Sequence, residues 1–478
     1  MNDVMVQSLQ MRQPPPPVSA FPDLAPKDSA AGTLATLLEA VSPRVAAPPK
    51  DHAYAPPVPQ RLDDTGITEA LIEELILKTL FVRGEVIGRE LASTLGLKFS
   101  VIEPRVDFLK RQRLIEAKGS LGFGSVSSVF VISEAGRARA RECMEHNQYT
   151  GAAPVPIAQY SAVVRAQRVK SGWLTQPALT KAYEGMTVSE DILAQIGPAV
   201  NSGKSFLMYG QAGNGKTYLA EALFRIDSLP IYVPHAIECQ GMIIKVFDPV
   251  YHHAVEQVED QISSVSSDAQ YDGRWVRCRP PFIVTGGELT IGMLDLGYNE
   301  ITKVYDAPFQ IKANNGIYLI DDFGRQRATP AEVLNRWIVP MDRRVDYLNF
   351  QTGGKVEVPF EAFLIFSTNL HPEKLGDEAF MRHIQYKMFL RNPNTVEFTE
   401  IFEKFCASKG LACPPTLISG FLEKHYRATG KKLRRCQARD VVSHAIDLIN
   451  FEQLPFELTE AVLDRAFDTC FVSSSMED

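Results

Sequence analysis

The chain has 478 residues with a net charge of −7 at pH 7, and 45% of its residues are hydrophobic. The length predicts more than one domain, and the negative charge excludes a general attraction to nucleic acid or to anionic membranes. The seven cysteines are scattered and lack paired metal-ligand spacing, which predicts reduced thiols. The sequence has no apolar run of membrane-spanning length, and the residues after Met1 lack the basic start of a signal peptide. Together these features predict a cytoplasmic protein.

The chain begins with a proline-rich segment, predicted at residues 1–62. Twelve of the 31 prolines lie in the first 60 residues, and this composition cannot bury a core. We therefore predict a disordered N-terminal arm.

Residues 66–146 predict a separate small domain that begins with three helices. Apolar residues recur at helical spacing from Thr68 to Phe81 and from Glu85 to Leu95. Ser100 and Glu103 have the spacing of a capping box, which predicts a third helix that runs to Arg113.

Two short strands follow, at 114–117 and 127–132, on either side of a turn rich in glycine and serine, and a helix begins at Glu134. Together these elements resemble a winged-helix domain. Winged helices often bind DNA through phosphate contacts. The candidate residues on the third helix are Arg105, Lys110, Arg111 and Arg113. Residues 66–146 hold twelve basic and eleven acidic residues, however, so protein binding or a subunit contact is favoured over DNA. Residues 147–170 are interpreted as the linker to the next domain.

The most informative motif is a phosphate-binding loop of the pattern G-x-x-x-x-G-K-[ST]. An apolar strand at 205–209 precedes it and a helix at 218–224 follows it, as the motif requires. Glycines let the backbone N–H groups face phosphate oxygens, and the helix adds its positive end. The expected nucleotide-binding residues are Gly210, Gln211, Ala212, Gly213, Asn214, Gly215, Lys216, Thr217 and Tyr218.

These residues predict ATP and Mg²⁺ as the ligands. Lys216 is expected to reach the β- and γ-phosphates, and the Thr217 hydroxyl to coordinate Mg²⁺. A buried strand at 317–320 ends in two carboxylates, at the edge where open α/β sheets bind ligands. Asp321 is the expected second Mg²⁺ ligand. Asp322 takes the place of the glutamate that polarises water in most related ATPases, and its shorter side chain brings the water closer to the backbone or slows hydrolysis.

A third strand, at 362–368, ends at Asn369. The order of these motifs resembles the AAA+ ATPases, in which such an Asn (sensor 1) helps to orient the water near the γ-phosphate. The resemblance implies an α/β P-loop core, which we place at 171–391, and an α-helical lid at 392–472. It also implies a ring of identical subunits, with six as the expected number.

Two arginines are expected to contact nucleotide if the resemblance holds. Residues 377–384 look like the end of the helix that carries the arginine finger. Arg382 is the expected finger, since His383 replaces the second arginine that the family often has. Residues 431–442 resemble the sensor 2 segment of the lid, with Arg439 in the position that contacts nucleotide. An ordinary surface arginine is the alternative for each.

A β-hairpin is predicted at 345–359, just before the sensor 1 strand. A hairpin there marks the AAA+ branch that includes bacterial enhancer-binding activators and MoxR-type ATPases. As a whole the chain resembles a bacterial group described as predicted ATPases with chaperone activity. The stretches that carry this resemblance are 281–290, 320–326 and 335–340.

The sequence favours a ring ATPase that uses ATP hydrolysis to move a client protein, which the residues do not identify. Two alternatives stay open: a DNA-linked regulatory ATPase recruited by the winged helix, and a nucleotide-gated scaffold with slow turnover. A second hairpin is predicted around Gln240-Gly241. This turn or Thr352-Gly353-Gly354 is a candidate to face the ring pore, and a hairpin that only completes a sheet is the equal alternative.

Overall fold

The computed structural model describes residues 54–169, 172–226, 228–255, 271–376 and 381–470. The predicted arm lies outside these ranges up to residue 53, so its disorder stays a prediction. Its last part is described and leads into a short helix, α1.

Residues 62–146, which we call the N-terminal domain after the prediction, contain five helices and three strands. In chain order its elements are α1 (Leu62–Thr65), α2 (Glu69–Arg83), β1 (Glu85–Ile87), α3 (Gly88–Leu95), α4 (Phe99–Arg111), β2 (Ile115–Ser120), β3 (Ser128–Ile132) and α5 (Glu134–His146). The strands pair antiparallel in the order β1-β3-β2. The hairpin β2–β3 and the helix after it are confirmed, while the winged-helix assignment stays a prediction.

The second helix of this domain is shorter than predicted. It begins at Gly88 rather than at Glu85, because the first three residues form β1 instead. Val86 of that strand is buried and lies opposite Phe130 of β3. The pairing with β3 therefore overrides the helical spacing of the apolar residues.

The predicted bounds of the third helix are also wrong. The helix begins at Phe99 with Lys98 at the N-cap position, and no side chain caps it, so Ser100 forms no capping box. Phe99, the first residue of the helix, packs against the same buried cluster as Ile102 and Val106, so the apolar face of the helix begins there. The helix ends before Arg113, whose backbone is left-handed with φ 56°.

From residue 155 to residue 389 the chain forms two five-stranded sheets and two two-stranded ones. In chain order the elements are β4 (Val155–Pro156), α6 (Ile157–Ala166), α7 (Gln176–Ala182), α8 (Glu190–Ser202), β5 (Phe206–Tyr209), α9 (Lys216–Ala222), β6 (Ile231–Pro234), β7 (Ala236–Cys239), β8 (Met242–Lys245), β9 (Trp275–Cys278), β10 (Phe282–Thr285), β11 (Gly297–Asn299), β12 (Val304–Asp306), α10 (Phe309–Lys312), β13 (Ile317–Ile320), α11 (Pro330–Arg343), β14 (Val345–Asn349), β15 (Lys355–Pro359), β16 (Phe363–Thr368) and β17 (Tyr386–Phe389).

The core sheet is parallel throughout, in the order β10-β13-β16-β5-β17. Phe206 and Met208 of β5 pack with α8 and α9, whereas Leu207 between them packs with α11. Successive side chains of a strand point to opposite faces, so helices cover both sides of this sheet. The α/β class predicted from the sequence is confirmed, with the strand of the phosphate loop beside the strand that ends at Asn369.

A second sheet, in the order β11-β12-β8-β7-β4, packs on the N-terminal domain, since Ala236, Ile243 and Val304 belong to the same buried cluster as α2 and α4. Its strand β4 and the following helix α6 come from the segment predicted as a linker, and Val155 and Tyr160 there are fully buried. Arg274 is also buried and joins three segments, since its guanidinium donates to Asp272, to the Thr65 carbonyl and to Gln159. The segment at 147–170 is therefore packed rather than extended.

Both predicted hairpins are present. β7 and β8 pair around Gln240-Gly241, and β14 and β15 pair around a turn that contains Gly353. The two turns contact each other, because Gln240 Nε2 donates to the Lys355 carbonyl at 3.3 Å. They form one surface, which we call the double-hairpin tip.

The region from 395 to 470 is helical. Its helices are α12 (Thr395–Ser408), α13 (Pro415–Leu422), α14 (Arg435–Glu452) and α15 (Glu460–Cys470). One buried apolar cluster includes residues of all four, so the region is helical, whereas its assignment as a lid at 392–472 stays a prediction. None of the helices that the structure describes is both long enough and apolar enough to cross a bilayer.

Candidate functional site

The phosphate loop connects the end of β5 to the start of α9, at the carboxyl edge of the core sheet. Gly213 and Gly215 have left-handed backbones, with φ 80° and 83°. Gly210 also has no room for a side chain, since a Cβ there would lie 2.4 Å from the Leu390 carbonyl oxygen. Among the described residues, no acceptor is hydrogen-bonded to the N–H groups of Gly213, Asn214 or Gly215. These donors are therefore available to an anion, as the motif predicts.

Lys216 lies at the centre of the site and is largely buried. Its ammonium donates to the Gly210 carbonyl at 3.0 Å, the Gln211 carbonyl at 3.1 Å and the Asn369 Oδ1 at 2.7 Å. Burial lowers the pKa of Lys216, and the carboxylates of Asp322 and Asp321 act in the opposite direction. The charge is held by oxygen atoms that phosphate oxygens can replace.

Thr217 and Asp321, the two predicted magnesium ligands, lie within hydrogen-bond distance of each other. The Thr217 hydroxyl lies 3.0 Å from Oδ1 and 2.8 Å from Oδ2 of Asp321. A hydroxyl and a carboxylate fit Mg²⁺, which usually completes its shell with water and substrate phosphates. Within the described ranges, no group of three or more His, Cys, Asp or Glu residues could hold a metal alone. These residues therefore fit a metal that is shared with a phosphate ligand.

Asn369 bridges the two charged groups of the site. Its Oδ1 accepts from Lys216, and its Nδ2 donates to Asp322 Oδ1 at 2.5 Å. Asp322 has a left-handed backbone, φ 48°, which is uncommon outside glycine. The hydroxyl of Thr368 donates to the Phe323 carbonyl at 2.6 Å and fixes the strand end beside this turn. The fold thus brings together Asp322, Asn369 and Lys216, which are far apart in the sequence.

The predicted arginine finger lies away from this cluster. Arg382 is exposed, and its Nε lies 3.4 Å from Nε2 of His383. His383 in turn contacts Asp342, with 2.9 Å between Nδ1 and Oδ1. The start of the predicted finger helix, at 377–380, lies outside the described residues. None of the contacts described for Arg382 reaches the phosphate loop of its own chain.

Arg439 is not brought to the phosphate loop either. Its side chain is 64% exposed and pairs with Asp440. Arg434, one of the basic residues before it, approaches the loop more closely, with its Cδ 3.7 Å from the Cβ position of Gly213. Tyr218, also expected to bind nucleotide, is 46% exposed on α9. The nucleotide roles of Arg439 and Tyr218 stay predictions.

The helical region touches the phosphate loop at a residue that the sequence did not single out. The Cys436 N–H at the start of α14 donates to the Gly213 carbonyl at 2.8 Å. A Cβ on Gly213 would lie 2.5 Å from the Cys436 sulfur. Burial raises the pKa of the Cys436 thiol, and Asp440 acts in the same direction. At this helix start Gln437 Oε1 accepts from the Arg434 N–H at 2.9 Å, but the Arg434 side chain makes no capping hydrogen bond. The sequence therefore holds no capping-box signal that could have located the contact.

Asn214 and Asn392 form a second missed contact. Asn214 is fully buried within the motif, and its Nδ2 donates to Asn392 Oδ1 at 2.7 Å. Asn392 Nδ2 lies 3.3 Å from Gln211 Oε1. Asn214 Oδ1 has no hydrogen-bond partner among the described residues, although it is buried. No local sequence pattern marks this pair, because the two residues lie 178 positions apart.

One segment of the chain matches a known family, and two solved structures are distantly similar to it. Residues 394–469 match a family model described as a domain of unknown function (DUF8689). No curated protein matches the chain. A crystal structure of NtrX from Brucella abortus aligns with 65% of this chain and 63% of that chain, at 12% identity and a TM-score of 0.35. A RuvB variant from Thermotoga maritima aligns with 59% and 69%, at 10% identity and a TM-score of 0.33. The chain thus spans less than two thirds of the NtrX structure.

Proposed function

We propose that this protein is an AAA+ ATPase that hydrolyses ATP to ADP and phosphate and uses the energy to remodel a client protein. One observation carries the proposal. The chain of contacts from Asp322 through Asn369 to Lys216 lies beside the Thr217–Asp321 pair, at the carboxyl edge of a parallel sheet. Binding of phosphate, binding of Mg²⁺ and positioning of water then fall within one site.

Each side chain has a distinct task in the proposed reaction. Lys216 and the loop N–H groups bind the β- and γ-phosphates. Thr217 and Asp321 hold Mg²⁺, which when bound neutralises charge on the phosphate oxygens. Asp322 polarises the attacking water, and Asn369 fixes its carboxylate by the hydrogen bond to Oδ1.

The site is completed by a neighbouring subunit in the proposed ring. Arg382 is exposed and lies outside the cluster of its own chain, as a residue that acts across a boundary must. A guanidinium supplied in trans is worth roughly 10³ to 10⁵ in rate. The ring, with six subunits as the expected number, is therefore part of the active form.

A mixing experiment tests this trans role. Arg382→Ala and Lys216→Ala subunits should each be inactive alone, and mixtures should recover part of the activity because some interfaces combine an intact loop with an intact finger. The reference is a mixture of Lys216→Ala with Arg137→Ala subunits, since Arg137 lies on an exposed face of α5 and its variant should be active. This mixture shows how much activity an active partner restores. Absence of recovery at every ratio of the two inactive variants would count against Arg382.

The double-hairpin tip is the proposed contact with the client. The two turns are exposed and touch each other through Gln240 and Lys355, so they can act as one surface. Shortening of either turn should abolish client remodelling and leave ATP hydrolysis intact. Variants that keep both activities would assign the hairpins a purely structural role.

Recruitment to DNA by the N-terminal domain is a second candidate function. The exposed side chains of Arg111 and Arg113 favour it. Two other basic residues of α4 are already paired. Arg105 contacts Glu73 at 3.4 Å, and Lys110 contacts Asp107 at 3.2 Å. A gel shift of the full chain should therefore show no salt-dependent DNA binding. Binding that weakens in Arg111→Ala with Arg113→Ala would favour the DNA-linked function instead.

A further inference from the structure

A large cavity lies at the edge of the core sheet opposite the phosphate loop. Its volume is about 1040 Å³. Residues at the starts of strands line it, including Ile317 of β13 and Phe363 of β16, together with the turn before β5 at 201–203. The phosphate loop follows the other end of β5. The cavity is therefore a separate site, at the upper end of the size range of small-molecule pockets.

The cavity is strongly basic although the whole chain is acidic. Among the described lining residues there is one carboxylate, Glu361, and there are six cationic side chains. These are Arg165, Arg168, Lys181, Arg225, Arg279 and Arg344. Arg225 also interacts with Glu221 of α9, which lies outside the lining. The other five positive charges less the negative charge of Glu361 leave +4 in the described lining, whereas the chain carries −7. This concentration of one sign favours an anionic ligand with several charges.

The single carboxylate does not neutralise the cations around it. Arg168 lies 3.4 Å from Glu361, and Arg344 and Arg165 act on the same carboxylate. Burial lowers the pKa of Arg344, and the positive charge of Arg168 lowers it further, whereas the negative charge of Glu361 raises it. The guanidiniums of Arg344 and Arg168 therefore share one carboxylate. Arg344 also donates to the Gly203 carbonyl. Grouped guanidiniums with excess charge are typical of phosphate recognition.

Apolar and aromatic side chains form the rest of the wall. Trp173 and Phe224 line the cavity beside the cations, and Phe224 is 41% exposed. A ligand that fills both parts needs charged groups at one end and a flat or apolar group at the other. We propose that this cavity binds a small phosphate-bearing ligand of the nucleotide class, separately from the phosphate loop. A concave site of this size favours a small molecule over the surface of an acidic protein.

Calorimetry of the full chain with the Lys216→Ala change tests the proposal, because that change weakens binding at the phosphate loop. The probes are ADP and, separately, inorganic tripolyphosphate. Both should bind with one site per chain. Addition of Arg168→Ala with Lys181→Ala should weaken binding about tenfold or more, and both residues are exposed, so the fold should persist.

The matched control is Arg111→Ala with Arg137→Ala, which removes the same charge from exposed positions of the N-terminal domain. This pair should leave both affinities unchanged. No saturable binding of either probe would overturn the proposal, as would equal weakening by the control pair. Saturable binding of polyglutamate without binding of the phosphate probes would also overturn it and would assign the cavity to an acidic protein segment.

Discussion

Replacement of Asn369 by alanine separates catalysis from binding at the proposed site. The change removes two hydrogen bonds, one from Lys216 at 2.7 Å and one to Asp322 at 2.5 Å. Loss of one oriented polar group at a reacting centre typically costs about 10²- to 10³-fold in rate, or roughly 2.7–4 kcal/mol. We expect a loss of this size in kcat. Both bonds have a charged partner, so together they are worth about 3–6 kcal/mol in folding free energy, and urea unfolding must show that the variant is still folded under the assay conditions.

The assay is steady-state ATP hydrolysis at saturating ATP, with nucleotide affinity and urea unfolding measured on the same preparation. Nucleotide affinity should change less than kcat, because Lys216 and the loop N–H groups stay in place. Asn299→Ala is the matched control. It also removes two hydrogen bonds, from the N–H groups of Ile301 and Thr302, in the second sheet away from both sites. An unchanged kcat in Asn369→Ala, or an equal loss of kcat in Asn299→Ala, would refute the reasoning.

Three further predictions concern the same site. Asp322→Asn should keep nucleotide binding and slow hydrolysis, because an amide polarises water weakly. Single-turnover hydrolysis rates check this. A variant that hydrolyses ATP at the parent rate would show that another residue polarises the water. Gly213→Ala should lower the melting temperature, because its φ is 80° and its Cβ would lie 2.5 Å from the Cys436 sulfur, and Cys436→Ala should recover part of the loss. ATP affinity should fall as the pH rises, because the neutral amine of Lys216 no longer attracts phosphate. The fall should begin at a pH below the ordinary lysine pKa of about 10.4, because burial lowers the pKa of Lys216. Lys216→Arg should show no such fall, since guanidinium stays charged, and a parallel fall in both proteins would contradict the assignment.

The parts of the site that follow a strand were predictable from the sequence. The phosphate loop, Asp321, Asp322 and Asn369 each come directly after a buried apolar run. Parallel strands end at a common edge, so apolar runs with polar ends placed the loop motif and the two carboxylates together, whereas the role of Asn369 came from the resemblance. The two hairpins were predictable for a similar reason, since their alternating residues flank turns with glycine.

The parts that depend on long-range packing were not predictable. The second sheet recruits β4 from a segment whose prolines suggested a linker, because burial of Val155 against β7 outweighs local turn preference. The contact of Cys436 with Gly213 depends on how the helical region packs on the loop, which no local pattern encodes. Arg439 matched the sensor 2 position by resemblance, yet its side chain pairs with Asp440 on the surface.

ATP hydrolysis per subunit, measured against protein concentration together with mass by light scattering, tests the central claim most directly. Runs with and without Mg²⁺, and with Lys216→Ala, give the references. The account predicts Mg²⁺-dependent turnover that rises as a ring assembles and is absent in Lys216→Ala. Tight ATP binding with flat, near-zero turnover at every concentration would contradict it and would favour a nucleotide-gated scaffold.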